Sequence, residues 1–229
     1  EAQVAALREE ADRRTLFMSA LTHELKTPMT AISGNAQTLL RTKMDEGERE
    51  DALISIDAEC TRIERLSQKL MHLIVLKQRD GIRLEPGSVE DLLEGVRLSS
   101  LEQLRQRGLF LLISNGMDTL AMDRDLLMSL LLNLIDNAGK ASNPGGTIEL
   151  SAAGNVISVT DHGKGIPPDE IGKITQPFYM VDKSRSKKAG GIGLGLALAE
   201  EIARLHGARL EFESTPGKGT TAKVVFERV

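Results

Sequence analysis

His23 and Glu24 stand together in the run Ser19-Ala20-Leu21-Thr22-His23-Glu24-Leu25-Lys26-Thr27-Pro28, within a stretch of helical period. His23 precedes the apolar Leu25 by two residues, a helical rotation of about 200°, so the imidazole points away from the apolar seam and toward solvent. A neutral imidazole there can act as a nucleophile, and an adjacent carboxylate can keep one ring nitrogen protonated while the other attacks. Taken alone, a surface His beside a Glu is also an ordinary solvated pair. Pro28 likewise reads simply as a bend, since it removes one helical hydrogen bond.

Three further groups carry chemical potential. Asn133 and Asn137 lie four apart on an apolar helix and share a face, with Lys140 one turn on. Their amide oxygens are hard ligands able to complete a magnesium shell, and burying them costs free energy unless something pairs with them. Asp161-His162-Gly163-Lys164-Gly165-Ile166 follows a predicted strand, so its carboxylate could accept a hydrogen bond from an exocyclic amine of a base while the glycines allow close approach. An Asp-capped turn explains the same residues without a ligand. Gly190-Gly191-Ile192-Gly193-Leu194-Gly195-Leu196 opens a helix, a phosphate cradle of amides and helix N-terminus, and it lacks the Gly-Lys-Ser/Thr ending of a P-loop. Just before it, Lys183-Ser184-Arg185-Ser186-Lys187-Lys188 reads as a basic loop expected to be mobile.

The elements that must position these groups are legible in period and punctuation. Leu25, Met29, Ile32, Ala36 and Leu39 form one heptad seam, and Leu53, Ile56, Cys60, Ile63, Ser67, Leu70 and Ile74 a second, with Met44 to Glu48 breaking between them. Two long helices in an antiparallel hairpin leave Leu21, Leu40, Leu66, Leu73 and Leu76 outside the seams, which predicts pairing with a second copy into a four-helix bundle. After the polar turn at Gln78 to Gly81 come shorter elements: a helix over 88–107 capped by Ser88, strands at 109–113 and 119–122, a helix over 123–142 capped by Asp123, a hairpin at 147–152 and 156–161, a helix over 194–206, and closing strands at 209–213 and 220–227. That mixture predicts an α+β chain: a long-helix hairpin over residues 1–80, then an α/β sandwich over 81–229 with helices on one face of a sheet.

Composition narrows the function classes. The chain has 229 residues, 41% of them hydrophobic, with a formal net charge of −4 and one cysteine. That charge gives no support to an electrostatic nucleic-acid binder, and one cysteine excludes a disulfide scaffold and a multi-cysteine zinc site. No apolar run approaches the 18 or so residues of a membrane span, so no membrane contact is expected of this stretch. The charged start without Met reads as a fragment of something longer.

In order and spacing, HELKTP, NLIDNAGKA, DHGKGI, Pro177-Phe178-Tyr179, GGIGLGLAL and GKGTTAKV together resemble the transmitter region of sensor histidine kinases of two-component systems. Those proteins join a His-bearing dimerisation domain to an ATP-binding domain of the kind shared with the gyrase, Hsp90 and MutL ATPases. The resemblance covers essentially the whole chain. It implies that His23 takes the γ-phosphoryl group of ATP, that Glu24 is the base, and that Thr27 positions water for dephosphorylating the partner. It places Asn133 and Asn137 at magnesium and phosphate, Lys140 at the nucleotide, and Asp161 and Thr220 at the adenine. Gly163, Gly165, Gly191, Gly193 and Gly195 match the two glycine boxes, and Phe178, Lys183 and Arg185 the lid. Three departures stand out: Gly139-Lys140-Ala141 in place of a run with an aromatic or other large residue after the Lys, where a glycine costs about 1 kcal/mol of helix propensity, His162 where Asn is more common, and the lack of tryptophan with a single tyrosine.

The expected activity is Mg-ATP-dependent autophosphorylation of His23 followed by transfer to an aspartate of a response regulator, performed by a homodimer. A hinge near residues 78–84 would let the nucleotide reach His23. The parent is expected to be a bacterial membrane sensor whose cytoplasmic part this is. Two other readings are a clamp driven by ATP hydrolysis and a catalytically silent or phosphatase-biased dimerisation scaffold.

Overall fold

The computed structural model describes the backbone of residues 2–181 and 191–227, and the side chains of that set from residue 14 on. Contacts divide the chain into two compact units, Glu1–Met71 and His72–Val229.

The first unit holds helix α1, Ala2–Arg41, and most of helix α2, Glu46–Lys77. The acidic stretch that the sequence reading treats as a break starts α2. Asp45 Oδ1 accepts from the Glu48 N–H at 2.8 Å and Glu48 Oε2 accepts from the Asp45 N–H at 3.1 Å, a reciprocal cap that satisfies otherwise orphaned amides. Helix α1 continues through Pro28, whose missing N–H forgoes the bond to the Glu24 carbonyl. Asn35 Nδ2 donates to Ser55 Oγ at 2.9 Å and Arg62 reaches Glu24 at 3.1 Å, which fixes the two helices antiparallel.

The seams need correction. Glu24 and Pro28 are buried on α1, and Ala52 and Leu66 on α2, whereas the predicted seam residues Met29 and Leu53 are 61% and 52% exposed and Cys60 is exposed. Each helix carries two neighbouring stripes, one for its hairpin partner and one facing outward, and a single heptad reading merges them.

In the second unit, β1 (Glu85–Ser88) pairs antiparallel with β3 (Thr119–Met122) as a separate two-stranded sheet. Sequence reasoning missed β1 because Pro86 and Gly87 are poor strand residues, tolerated here in a short ribbon with a free edge. Ser88 then caps α3 (Val89–Gln106) through the Asp91 N–H, and Asp123 caps α4 (Arg124–Ala141) through the Leu126 N–H at 3.1 Å, both as expected.

The remaining elements are β2 (Phe110–Gly116), β4 (Thr147–Ala153), β5 (Val156–Asp161), the short α5 (Pro168–Ile171), α6 (Gly195–Leu205), β6 (Ala208–Thr215) and β7 (Gly219–Phe226). They build a sheet in the order β2-β4-β5-β7-β6, with only β2–β4 parallel. Ile148, Leu150 and Ala152 of β4 are buried while Thr147, Glu149 and Ser151 are not, so one face is apolar and takes the helices. Leu127, Leu130 and Leu131 of α4 are fully buried there, each worth about 1.5–3 kcal/mol, and they anchor the helix that carries the Asn pair.

Candidate active site

On the hairpin, the His23 side chain is 69% exposed and its Nδ1 lies 3.5 Å from Glu24 Oε1, while Glu24 itself is buried. The other carboxylate oxygen, Oε2, accepts from Arg62 at 3.1 Å. One carboxylate thus faces both the imidazole and a guanidinium from α2. Thr27 Oγ1 donates to the His23 carbonyl at 3.3 Å, one turn along the same helix. Arg62 was missing from the sequence reading. The available signal was that Glu24 falls between Leu21 and Pro28 on the inward stripe, where an acid needs a cationic partner.

In the second unit, α4 presents Asn133 and Asn137, both half-buried, to the start of α6. Asn133 Nδ2 donates to the Ser129 carbonyl at 2.8 Å, and a Cβ built on Gly195 would meet Asn133 Oδ1 at 3.0 Å and Asn137 Nδ2 at 3.9 Å. The Asn pair and the helix N-terminus therefore line one space. Among the described residues, Asn137 Nδ2 is buried without a hydrogen-bond partner. A buried amide left unpaired at a helix N-terminus fits a site built for a phosphate with its cation, because a half-turn of the amide exchanges its donor and acceptor without changing shape. Among the described residues no group of three or more His, Cys, Asp or Glu could hold a metal ion, so the fitting donors are amide oxygens plus phosphate.

Lys140, expected at the nucleotide, has a partner on its own helix. Its Nζ pairs with Asp136 Oδ2 at 2.7 Å, and Asp136 Oδ1 also accepts from Gln103 at 2.6 Å and Arg107 at 3.0 Å. Burial works against the Asp136 charge, yet Lys140 and then Arg107 outweigh it and hold the carboxyl below its usual range. Gly139 makes room for this cluster: a Cβ there would meet an Arg107 guanidinium nitrogen at 2.7 Å.

Asp161 ends β5, buried, with Oδ1 accepting from the Gly163 N–H at 2.8 Å. Burial raises its carboxyl above the usual value, and the amides of Gly163 and Thr220 oppose that only in part. The neighbouring glycines are demanded by crowding: a Cβ on Gly163 would lie 2.2 Å from the Ala141 carbonyl oxygen, and one on Gly165, at φ 67°, would lie 2.1 Å from the Thr215 carbonyl oxygen. Thr220 sits opposite Asp161 in the β5–β7 register, and its hydroxyl meets Ser214 Oγ at 2.9 Å. Ser214 also accepts from the Ile166 N–H at 2.8 Å and so ties the glycine loop to β6, a role that no motif announced. His162, the departure in this motif, pairs with Glu149 at 3.0 Å on the exposed face.

Phe178 is buried at φ 66° and donates its N–H to the Gly193 carbonyl at 2.7 Å. Gly193, at φ 74°, passes so close that a Cβ would lie 2.8 Å from the Phe178 backbone. Gly191 is half-buried just before it. Lys183 and Arg185 lie outside the described residues.

Two family models match the chain, one over elements of each unit. The family model described as His Kinase A (phospho-acceptor) domain matches residues 13–74, and that described as Histidine kinase-, DNA gyrase B-, and HSP90-like ATPase matches 122–229. The chain carries the transmitter region of a histidine kinase. It is 32% identical over 227 residues to the sensor histidine kinase YkoH of Bacillus subtilis, covering 96% of this chain and 49% of that protein. To the phosphate regulon sensor protein PhoR of Pseudomonas aeruginosa it is 34% identical over 214 residues, covering 90% and 48%. In fold, this histidine kinase chain is similar to histidine kinase ThkA, solved in complex with response regulator protein TrrA, with a TM-score of 0.76 at 19% identity over 99% of this chain and 67% of that one. The kinase chain spans about half the length of the curated relatives it matches. Its second unit carries the ATP-binding domain of the family. Among the described residues no helix is long and apolar enough to cross a membrane.

Proposed function

We propose that this chain phosphorylates itself on His23 from ATP and passes the phosphoryl group to an aspartate of a response regulator. The observation that carries this reading is the exposed His23 imidazole with Nδ1 toward the buried Glu24 carboxylate. Glu24 keeps the proton on Nδ1, so the Nε2 lone pair attacks the γ-phosphorus as the bond to the β–γ bridging oxygen breaks. The product is a phosphorus–nitrogen bond on His23, later cleaved when a carboxylate oxygen of the regulator takes the group.

Asn133 and Asn137 would hold magnesium with the phosphates, and that ion supplies neutralisation of charge on the departing diphosphate. Asp161 accepts from the adenine amine, Thr220 lies beside it, and the start of α6 receives phosphate on its amides. Phosphoryl transfer needs positioning and charge neutralisation above all, which these groups provide. Lys183 and Arg185 keep the lid role that the family resemblance implies for them. Thr27, bonded to the His23 carbonyl, serves a second activity by positioning water to dephosphorylate the regulator.

The active form is a homodimer. Met29, Leu40 and Leu53 are 61%, 85% and 52% exposed on a single chain, and a second hairpin would cover them in a four-helix bundle. The domain boundary near residue 80 and a membrane-anchored parent follow the same family reading.

Incubation with γ-labelled ATP and magnesium, comparing the chain with His23→Gln, tests the proposal. Acid-labile, base-stable label that vanishes in the variant is expected. Nucleotide binding without label would move the reading to a clamp ATPase or a phosphatase-locked state.

A further inference from the structure

Arg62 belongs to no motif, yet its guanidinium holds one oxygen of the Glu24 carboxylate from the opposite helix. The Arg62 and Glu24 side chains are 15% and 8% exposed, so both charges are largely removed from water and neither is stable there alone. Arg62 engages Oε2 at 3.1 Å, leaving Oε1 as the oxygen nearer the imidazole, 3.5 Å from His23 Nδ1. A second acid competes for the same guanidinium. Glu59 Oε2 is 3.8 Å from Arg62, too far for a hydrogen bond, and it is buried with no hydrogen-bond partner among the described residues. Glu24 therefore takes the guanidinium's hydrogen bond, and Glu59 stands by its other nitrogen as a longer ion pair.

We propose that Arg62 is a positioning residue for phosphoryl transfer: by holding Glu24 from the opposite helix, it fixes the carboxylate that keeps the His23 proton on Nδ1 and so presents Nε2 to the phosphorus. This rests on the reading of His23 as the phosphoryl acceptor. The chemistry follows from the parts. A side chain on the flexible stem of Glu24 has several rotamers, and the one held by Arg62 places Oε1 3.5 Å from Nδ1. An anchor from α2 selects it, and no atom of Arg62 needs to touch the nucleotide. A cation is required for this, because a neutral partner would leave the buried carboxylate without a countercharge and able to turn outward.

The test uses the full chain with Arg62→Ala, Arg62→Lys and Arg62→Gln, and two readouts. Imidazole nitrogen-15 spectra, taken with neutral His23 and no nucleotide, report which ring nitrogen bears the proton. Wild type is expected to show the Nδ1–H form, Arg62→Ala to shift toward the Nε2–H form, and Arg62→Lys to restore much of it. In autophosphorylation, Arg62→Ala is expected to lower the maximal rate about tenfold to a hundredfold, with KM for ATP unchanged, because misplacement at the reacting centre costs rate and leaves binding alone. If Arg62→Ala loses its helical circular dichroism, the comparison of Lys with Gln decides, since the two differ in charge. Equal tautomers and equal rates in those two variants, or a wild-type rate in a folded Arg62→Ala, overturn the proposal. A chain that shows the Arg62-dependent tautomer but takes no label keeps the positioning and sinks the kinase reading instead.

Discussion

Lys140 Nζ lies 2.7 Å from Asp136 Oδ2, one turn back along α4, so the cation assigned to the nucleotide is paired within the protein. The same carboxylate takes Gln103 of α3 and Arg107 at its C-cap, which makes Asp136 a junction between two helices as well as a restraint on Lys140.

Replacing that carboxylate has a stability cost with a defined pH range. Asp136 is held below its unfolded value of 3.8, so its contribution is present above that value and is lost as pH falls through the still lower folded one. Asp136→Asn is expected to lose about 1–2 kcal/mol at neutral pH, between the worth of exposed and buried pairs. Urea unfolding at neutral pH and again near about pH 3 should show the difference shrink in acid.

Asp161 has the opposite sign. Its carboxyl is raised above 3.8 by burial, so the native state favours the protonated form, and the stability that form gives is lost as pH rises through the folded value. Asp161→Asn is expected to be more stable than wild type at neutral pH, with the gap closing below 3.8. The same change should weaken ATP binding about tenfold to a hundredfold, the worth of one hydrogen bond to a charged group, as read by calorimetric titration.

The contact between Gly193 and Phe178 separates two effects of a methyl group. Gly193→Ala meets the Phe178 backbone at 2.8 Å and carries the cost of φ 74°, whereas Gly217→Ala has φ 77° and nothing within 4 Å. Gly217→Ala should cost only the left-handed penalty of about 1–2 kcal/mol, and Gly193→Ala clearly more together with a loss of ATP affinity. Thermal unfolding of both variants with and without nucleotide checks this.

The outward apolar stripe gives a fourth expectation. Met29→Glu together with Leu53→Glu places charges on the exposed faces of both hairpin helices without touching the buried Ala52 or Leu66. Sedimentation should show monomers at concentrations where the parent chain is dimeric, with helical content retained and ATP binding intact.

Locally encoded features were legible in the chain itself. Ser88 and Asp123 start their helices where the spacing of capping residue and apolar period says they must, and Gly108, at φ 67°, stands just beyond the end of α3. The order of the Asn pair, the Asp161 loop and the glycine-rich start of α6 likewise sits in the sequence, because each is a run of neighbouring residues. Only the tertiary structure selected their partners. Arg62 is 38 positions from Glu24, Arg107 is 29 from Asp136, and Ser214 is 48 from Ile166. No local period encodes such pairs, since they depend on helix register and strand order. The strand at Glu85–Ser88 and the two stripes of the hairpin belong to the same class. A strand carrying Pro86 and Gly87 has no propensity of its own and exists because β3 pairs with it, and a helix face becomes inner or outer only when its neighbour is in place.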